Sequence, residues 1–233
     1  MFRRFMVALA ALSLTACASP YVAKPFDRAA ASVQTLGLAG DAVPEKAMAY
    51  ESASVGSNFG LIGALVDAGI QSSRQNAVNN ALQGASFDPE ARLQARLVGQ
   101  LAAEGYKVQP LPTAARPKRE FLATYGSDQE VDAYLDVVLA SYGYLSAGAG
   151  KPFRPTAYAN VRLVSAKDPT KTLMQNRIVY NPLLAEKGVI TLTPNPAYAF
   201  NNRADLLADP KRLAAGIEDA LDQVADAAAQ LVR

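Results

Sequence analysis

The chain has 233 residues, 50% apolar and 19% charged, which suffices for one packed domain with a short tail. A single cysteine and the absence of histidine exclude Ser-His-Asp and Cys-His catalytic sets, thiolate zinc sites and any intramolecular disulfide. A net charge of only +2 removes the cationic surplus that nucleic-acid binding rests on, so no nucleic-acid partner is expected.

Arg3 and Arg4 precede an apolar run from Phe5 to Leu14, too short to cross a hydrocarbon core of ~30 Å as a helix. The run ends in Leu14-Thr15-Ala16-Cys17, with small residues where a peptidase must pass the backbone. This stretch resembles the lipobox of bacterial lipoproteins, and the only cysteine occupies its invariant position. The resemblance implies that residues 1–16 are removed as a signal peptide and that Cys17 is acylated. Stable anchoring needs more than one acyl chain, and a lipoprotein carries several. Ala18 stands where the enterobacterial pattern for inner-membrane retention has Asp, so the implied address is the periplasmic face of the outer membrane. Cleavage would remove two arginines and no acid, leaving 21 basic against 21 acidic side chains.

Residues 17–30, with Pro20 and Pro25, read as a lipidated tether reaching at most about 45 Å. Residues 31–233 read as a single α/β domain. Ser32–Leu38 and Lys46–Val55 are short β-branched runs, and Gly40-Asp41 with Pro44 between them predicts a hairpin. Gly56, Gly60, Ala64 and Ala68 then recur every four residues, one smooth stripe on a helix, with Phe59, Leu61, Ile62, Leu65 and Val66 opposite. Small residues let another backbone approach closely. A soluble helix pressed on the protein's own sheet is the preferred reading, and contact with a second copy or another envelope protein is the functional one. Arg74–Gln83 continues as a polar helix.

Asp88-Pro89 is a helix start, an N-cap acceptor followed by proline at a position that needs no amide hydrogen bond. Leu93, Leu97 and Leu101 mark the buried side of that helix, Gly105 ends it, and Tyr106–Leu111 is a strand. Pro112–Gln129 reads as a solvated loop carrying the basic cluster Arg116-Pro117-Lys118-Arg119, with a short helix around Glu120–Tyr125. Val131–Ala147 alternates with period two, and Pro155–Ser165 and Lys171–Tyr180 follow at short spacing, which predicts a three-strand antiparallel meander. Asn181–Asn202 is a proline-rich loop with an edge strand near Val189–Thr193. Asp209-Pro210 opens a last helix whose Leu213, Ile217, Leu221, Val224, Ala228 and Leu231 recur at helical spacing.

Two constellations could carry chemistry. Asp132 and Asp136 share one strand face, and Arg162 and Arg177 on neighbouring strands are ready partners, so ion pairing is favoured over acid–base work. Tyr134, Tyr142, Tyr144, Tyr158 and Tyr180 all fall on even positions of the meander, and could form one face suited to glycan or peptide contact. The competing reading buries these rings under helices. No phosphate loop, nucleophile elbow or paired-aspartate metal loop is present, so no catalytic residue, metal or cofactor is expected.

The expected fold is α+β: a mixed, mainly antiparallel sheet of N-terminal hairpin, helix–strand unit and three-strand meander, packed by helices, with a long C-terminal helix. Behind a lipobox, this element order resembles small envelope lipoproteins with an α/β domain. Among these are the curli-secretion lipoprotein, the activator lipoproteins of penicillin-binding proteins, and the N-terminal domain of the Tol system's propeller protein. The resemblance implies a non-enzymatic accessory or scaffold for envelope assembly or maintenance, anchored to the membrane and meeting an envelope protein partner. A glycan- or peptide-binding module using the tyrosines is the alternative. A pore-forming oligomer is less favoured, because Arg162 or Ser141 would face lipid in its wall.

Overall fold

The computed structural model describes residues 21–52, 60–112, 115–116, 118–126 and 130–233, with the backbone alone for 60–71. The lipobox and Gly56 lie outside the described residues. In chain order the elements are α1 (Arg28–Ala31), β1 (Thr35–Leu38), β2 (Met48–Glu51), α2 (Gly60–Gly84), α3 (Pro89–Ala103) and β3 (Lys107–Pro110). They continue with β4 (Ala133–Ser146), β5 (Phe153–Ser165), β6 (Thr172–Tyr180), β7 (Ile190–Leu192), α4 (Arg203–Ala208) and α5 (Pro210–Gln230). Seven strands form one mixed sheet in the order β3-β1-β4-β5-β6-β7, with β2 also paired to β4. The long β4–β5 and β5–β6 ladders are antiparallel, and the four short pairings that flank them are parallel.

Both Asp-Pro helix starts form as the sequence predicts. The Asp88 carboxylate accepts from the Ala91 amide and the Asp209 carboxylate from the Arg212 amide, each at 3.0 Å, filling donors that a helix N-terminus leaves unpaired. Leu93, Leu97 and Leu101 of α3 are buried, each worth ~1.5–3 kcal/mol of hydrophobic stabilisation. Helix α5 lies on the sheet through Leu213, Ile217, Leu221 and Val224, all fully buried. Arg92 and Arg96 of α3 pair with Asp222 and Asp226 of α5 along the solvent side of this helix layer. In α2, Val78 and Leu82 enter the core, and the Asn79 side chain exchanges 2.9 Å bonds with the amide and carbonyl of Ala47.

The predicted N-terminal hairpin does not form. β1 and β2 run in the same direction, end to end along β4: Leu36–Leu38 pair with Ala133–Leu135, and Met48–Glu51 with Gly143–Ser146. The turn chemistry at Gly40-Asp41 and Pro44 makes an excursion rather than a reversal. Ala39 still donates to the Leu135 carbonyl, Leu139 donates to the Ala42 carbonyl, and the Glu90 carboxylate at the start of α3 holds the amides of Ala42 and Val43. The two short strands act as one interrupted strand. Where β2 meets β4 the backbones come so close that Gly143, at φ +133°, cannot carry a side chain: a Cβ would stand 2.1 Å from the Met48 carbonyl oxygen.

Two further expectations need correction. No helix forms at 120–125, because side chains of other segments take the polar groups a helix would need. Arg116 donates to the Glu120 carbonyl, Arg162 to the Leu122 carbonyl, and the Leu122 amide is used by Asp136. The segment expected as a free tether is docked from Tyr21 onward. Lys24 makes an antiparallel bridge to Gln175, and the Asp27 carboxylate caps α1. Arg28 packs its guanidinium 4.4 Å over the Tyr106 ring and donates to the Glu104 carbonyl.

Candidate functional site

The expected tyrosine face is split in two, by a β-bulge in β4 and by a β5–β6 register that pairs Tyr180 with Ala157 and Tyr158 with Val179. In β4, Leu135, Val137 and Leu139 point to the helices, and the register with β5 then shifts between Leu139 and Ser141, leaving Ala140 exposed. An inserted residue inverts every later side chain. Tyr142 and Tyr144 therefore join the helix-covered core with Tyr180, whereas Tyr134 lies on the opposite face and Tyr158 is half-buried there. Tyr134, Tyr142 and Tyr144 are 4%, 2% and 0% exposed, so no open aromatic surface results. The core rings are fixed by polar contacts as well as packing. Tyr180 donates to the Asp219 carboxylate and accepts from the Asn195 amide, and Tyr144 packs edge-on to Phe200. Burial pushes the Tyr142 hydroxyl up to about 12, reinforced by the charge of Asp88, and drives Tyr144 and Tyr180 further up. Of the small-residue stripe, Gly60, Ala64 and Ala68 fall within α2.

The most polar construction lies on the face away from the helices. Asp136, in the middle of β4, is fully buried. Its carboxylate accepts from Arg116 at 2.7 and 3.4 Å, from the Leu122 amide at 2.9 Å and from the Tyr125 hydroxyl at 2.9 Å. Arg162, its ladder neighbour on β5, approaches to 4.0 Å and donates 2.8 Å bonds to the Tyr125 hydroxyl and the Leu122 carbonyl. The Arg162 guanidinium stacks 4.4 Å over Phe121. Tyr125 in turn stacks on Tyr134 with ring centroids 4.8 Å apart, and Tyr134 donates to the Gly126 carbonyl. Burial, then the Asp136 charge, pushes the Tyr125 hydroxyl well above the usual tyrosine range, so it stays a donor to the carboxylate.

Arg116 also donates twice to the Gly40 carbonyl, and Arg119 pairs with Asp41 at 3.2 Å. Two of the three cations expected in solvent, Arg116 and Arg119, thus hold the loop in place, with Arg116 only 8% exposed, whereas Lys118 is exposed as expected. Between this loop and solvent is a cavity of about 410 Å³, bordered by Arg116, Lys118, Glu120, Phe121 and Thr124. Every oxygen of Asp136 is taken, so the arrangement holds the loop to the sheet and leaves no free base facing that cavity.

Of the residues singled out in the sequence, Asp136 and Arg162 do meet. Arg177 does not join them; it faces Glu186 at 3.7 Å and lies 4.3 Å beneath the Tyr21 ring. Asp132 serves a different purpose, accepting from the amides of Gln34 and Thr35 and the Thr35 hydroxyl where β1 joins β4. The Gln34 amide bond, then those from Thr35, hold its carboxyl below the ordinary aspartate range. Arg116, expected in a solvated basic cluster, and Tyr125, expected in a short helix, both turn to Asp136 instead. A signal was present: an acid at a strand position flanked by Val137 and Leu135 needs a cation, and the adjacent loop carries the local supply. Among the described residues no helix is long and apolar enough to cross a membrane, and no cluster of acids or thiols could hold a metal. Comparison of the chain with protein families, curated proteins and solved structures gave no match.

Proposed function

We propose that the chain is a lipid-anchored accessory or scaffold protein of a bacterial envelope, without catalytic activity of its own, held at the periplasmic face of the outer membrane. The observation that carries this reading is the N-terminal arrangement itself: Arg3 and Arg4, the apolar run to Leu14, and the sole cysteine at the end of Leu14-Thr15-Ala16-Cys17. The body adds support of a different kind. Its most polar cluster, around Asp136, is consumed by internal hydrogen bonds that fix a loop, as suits a rigid body offered to a partner. The resemblance to envelope-assembly lipoproteins points to the same role, with another envelope protein as the partner.

The glycan- or peptide-binding alternative loses its basis with the tyrosine face. A pore wall built from β4 and β5 would need one face of both strands turned to lipid, and here helices cover one face while the 115–126 loop covers part of the other.

Replacing the thiol tests the anchor. Cys17→Ser should leave uncleaved precursor and remove the protein from the outer-membrane fraction. A variant that is processed and fractionates like the wild type would remove the basis of this function. Covalent capture of neighbours by the anchored wild-type protein, compared with the Cys17→Ser variant, would then identify the partner.

A further inference from the structure

We infer that the protein sits on its membrane in one fixed orientation, with the edge formed by Tyr21–Lys24 and the β6–β7 connection turned to the lipid headgroups. This rests on the anchoring of Cys17 proposed above. Four residue steps separate Cys17 from Tyr21, a span of at most about 14 Å when fully extended. A domain of this length has a radius of gyration of about 17 Å, so its far side lies beyond the reach of so short a leash.

The point where the chain meets the body is firmly seated. The Tyr21 ring stacks on Arg177, Lys24 bridges Gln175 through both backbone groups, and the Lys24 ammonium donates to the Thr172 carbonyl. The Tyr21 carbonyl packs against Gly188 so closely that a Cβ there would stand 2.5 Å from it. The segment 21–24 is therefore joined to the connection 181–189, and the two move as one surface.

The chemistry of that surface suits a headgroup layer. Among the described residues, Val22 at 83% and Leu183 at 49% are the most exposed large apolar side chains, and both belong to it. Lys24, Lys171 and Lys187 are exposed on the same edge of the sheet. Apolar tips beside lysines fit the boundary between acyl chains and anionic headgroups. The opposite edge, β3, carries Lys107 and lies five strand spacings away, about 24 Å.

The test uses the full-length protein, acylated in cells and reconstituted in phosphatidylethanolamine vesicles containing phosphatidylglycerol. With Cys17 blocked by its lipid, Val22→Cys, Leu183→Cys or Lys107→Cys supplies a single thiol for a spin label. All three sites are on exposed positions, so folding is not at stake. The expected result is that labels at 22 and 183 become several-fold less accessible to a water-soluble paramagnetic reagent and more accessible to oxygen, whereas the label at 107 is unchanged. Acylated protein whose label at 183 remains as accessible to water as that at 107 would overturn the orientation and leave the anchor intact. Protein that carries no lipid on Cys17, read by mass, would overturn the anchor and the orientation together.

Discussion

Arg116 and Asp136 meet at 2.7 Å with side chains 1% and 0% exposed, one from an irregular loop and the other from the centre of the sheet. Removing one partner strands a buried charge, which typically costs ~3–5 kcal/mol. Asp136→Ala should therefore lower the melting temperature steeply, by roughly 2–4 °C for each kcal/mol in a domain of this size. Replacing Arg116 by Met together with Asp136 by Leu should recover part of the loss, because the buried Arg116 charge is removed with its partner, while the Leu122 amide, the Tyr125 hydroxyl and the half-buried Arg162 still lose the carboxylate. Thermal unfolding of the two variants side by side gives the answer, and equal loss in both would show that the pair itself, and not the orphaned charge, carries the stability.

Gly216 of α5 lies against the Tyr144 hydroxyl, where a Cβ would stand 2.1 Å from the hydroxyl oxygen and 2.9 Å from the Cβ of Tyr198. Alanine is the better helix former by ~1 kcal/mol, so propensity alone predicts stabilisation. Overpacking at ~1–3 kcal/mol opposes it and should win. Gly216→Ala is expected to destabilise, and Tyr144→Phe in the same chain should relieve part of the effect by removing the clashing oxygen. A double-mutant cycle by denaturant unfolding measures that coupling, and strict additivity would exclude the hydroxyl as the cause.

Much of this architecture is legible in the sequence, where the signal is local. Asp88-Pro89 and Asp209-Pro210 mark helix starts by cap chemistry, and the leucines of α3 and α5 mark buried faces by spacing. The strands β4 to β6 show alternation or turn residues at their ends. What could not be read is long-range. The inserted residue at Ala140 costs one position in one strand and inverts Tyr142 and Tyr144, and no local rule separates it from a regular strand. The pairing of β1 and β2 with β4, and not with each other, depends on a partner almost a hundred residues away. At the Asp136 site, Asp136 and Arg162 were visible as a cross-strand pair. Arg116 and Tyr125 were not, because a loop's side chains follow tertiary contacts and have no period.

Ile217 is fully buried on the sheet-facing side of α5. Ile217→Asp would bury a carboxylate with no partner, a cost of several kcal/mol. Loss of the cooperative thermal transition is expected by circular dichroism, and an unchanged transition would mean that α5 does not rest on the sheet in solution.

With no histidine, no side chain of ordinary pKa titrates between about pH 6 and 8, so stability should be flat across that range. It should fall on both sides. Asp132 is held below its ordinary value by the Gln34 amide and Thr35, so its contribution is present above the unfolded pKa of about 3.9 and is lost as pH drops through the folded value. Burial raises Tyr125, Tyr144 and Tyr180, so their contribution is present below about pH 10 and is lost as pH rises through the folded values. Melting temperature against pH tests both limbs. Asp132→Asn should make the acid limb shallower and leave the alkaline limb unchanged, and a slope between pH 6 and 8 would contradict the assignment.

The claim on which the function rests is that Cys17 begins the mature chain and carries lipid. The most direct measurement is the mass of the N-terminal peptide of the protein isolated from membranes. The expected peptide starts at Cys17, carries a diacylglyceryl group on sulfur and lacks residues 1–16. A peptide that still contains Leu14-Thr15-Ala16, or that starts at an unmodified Cys17, would contradict it.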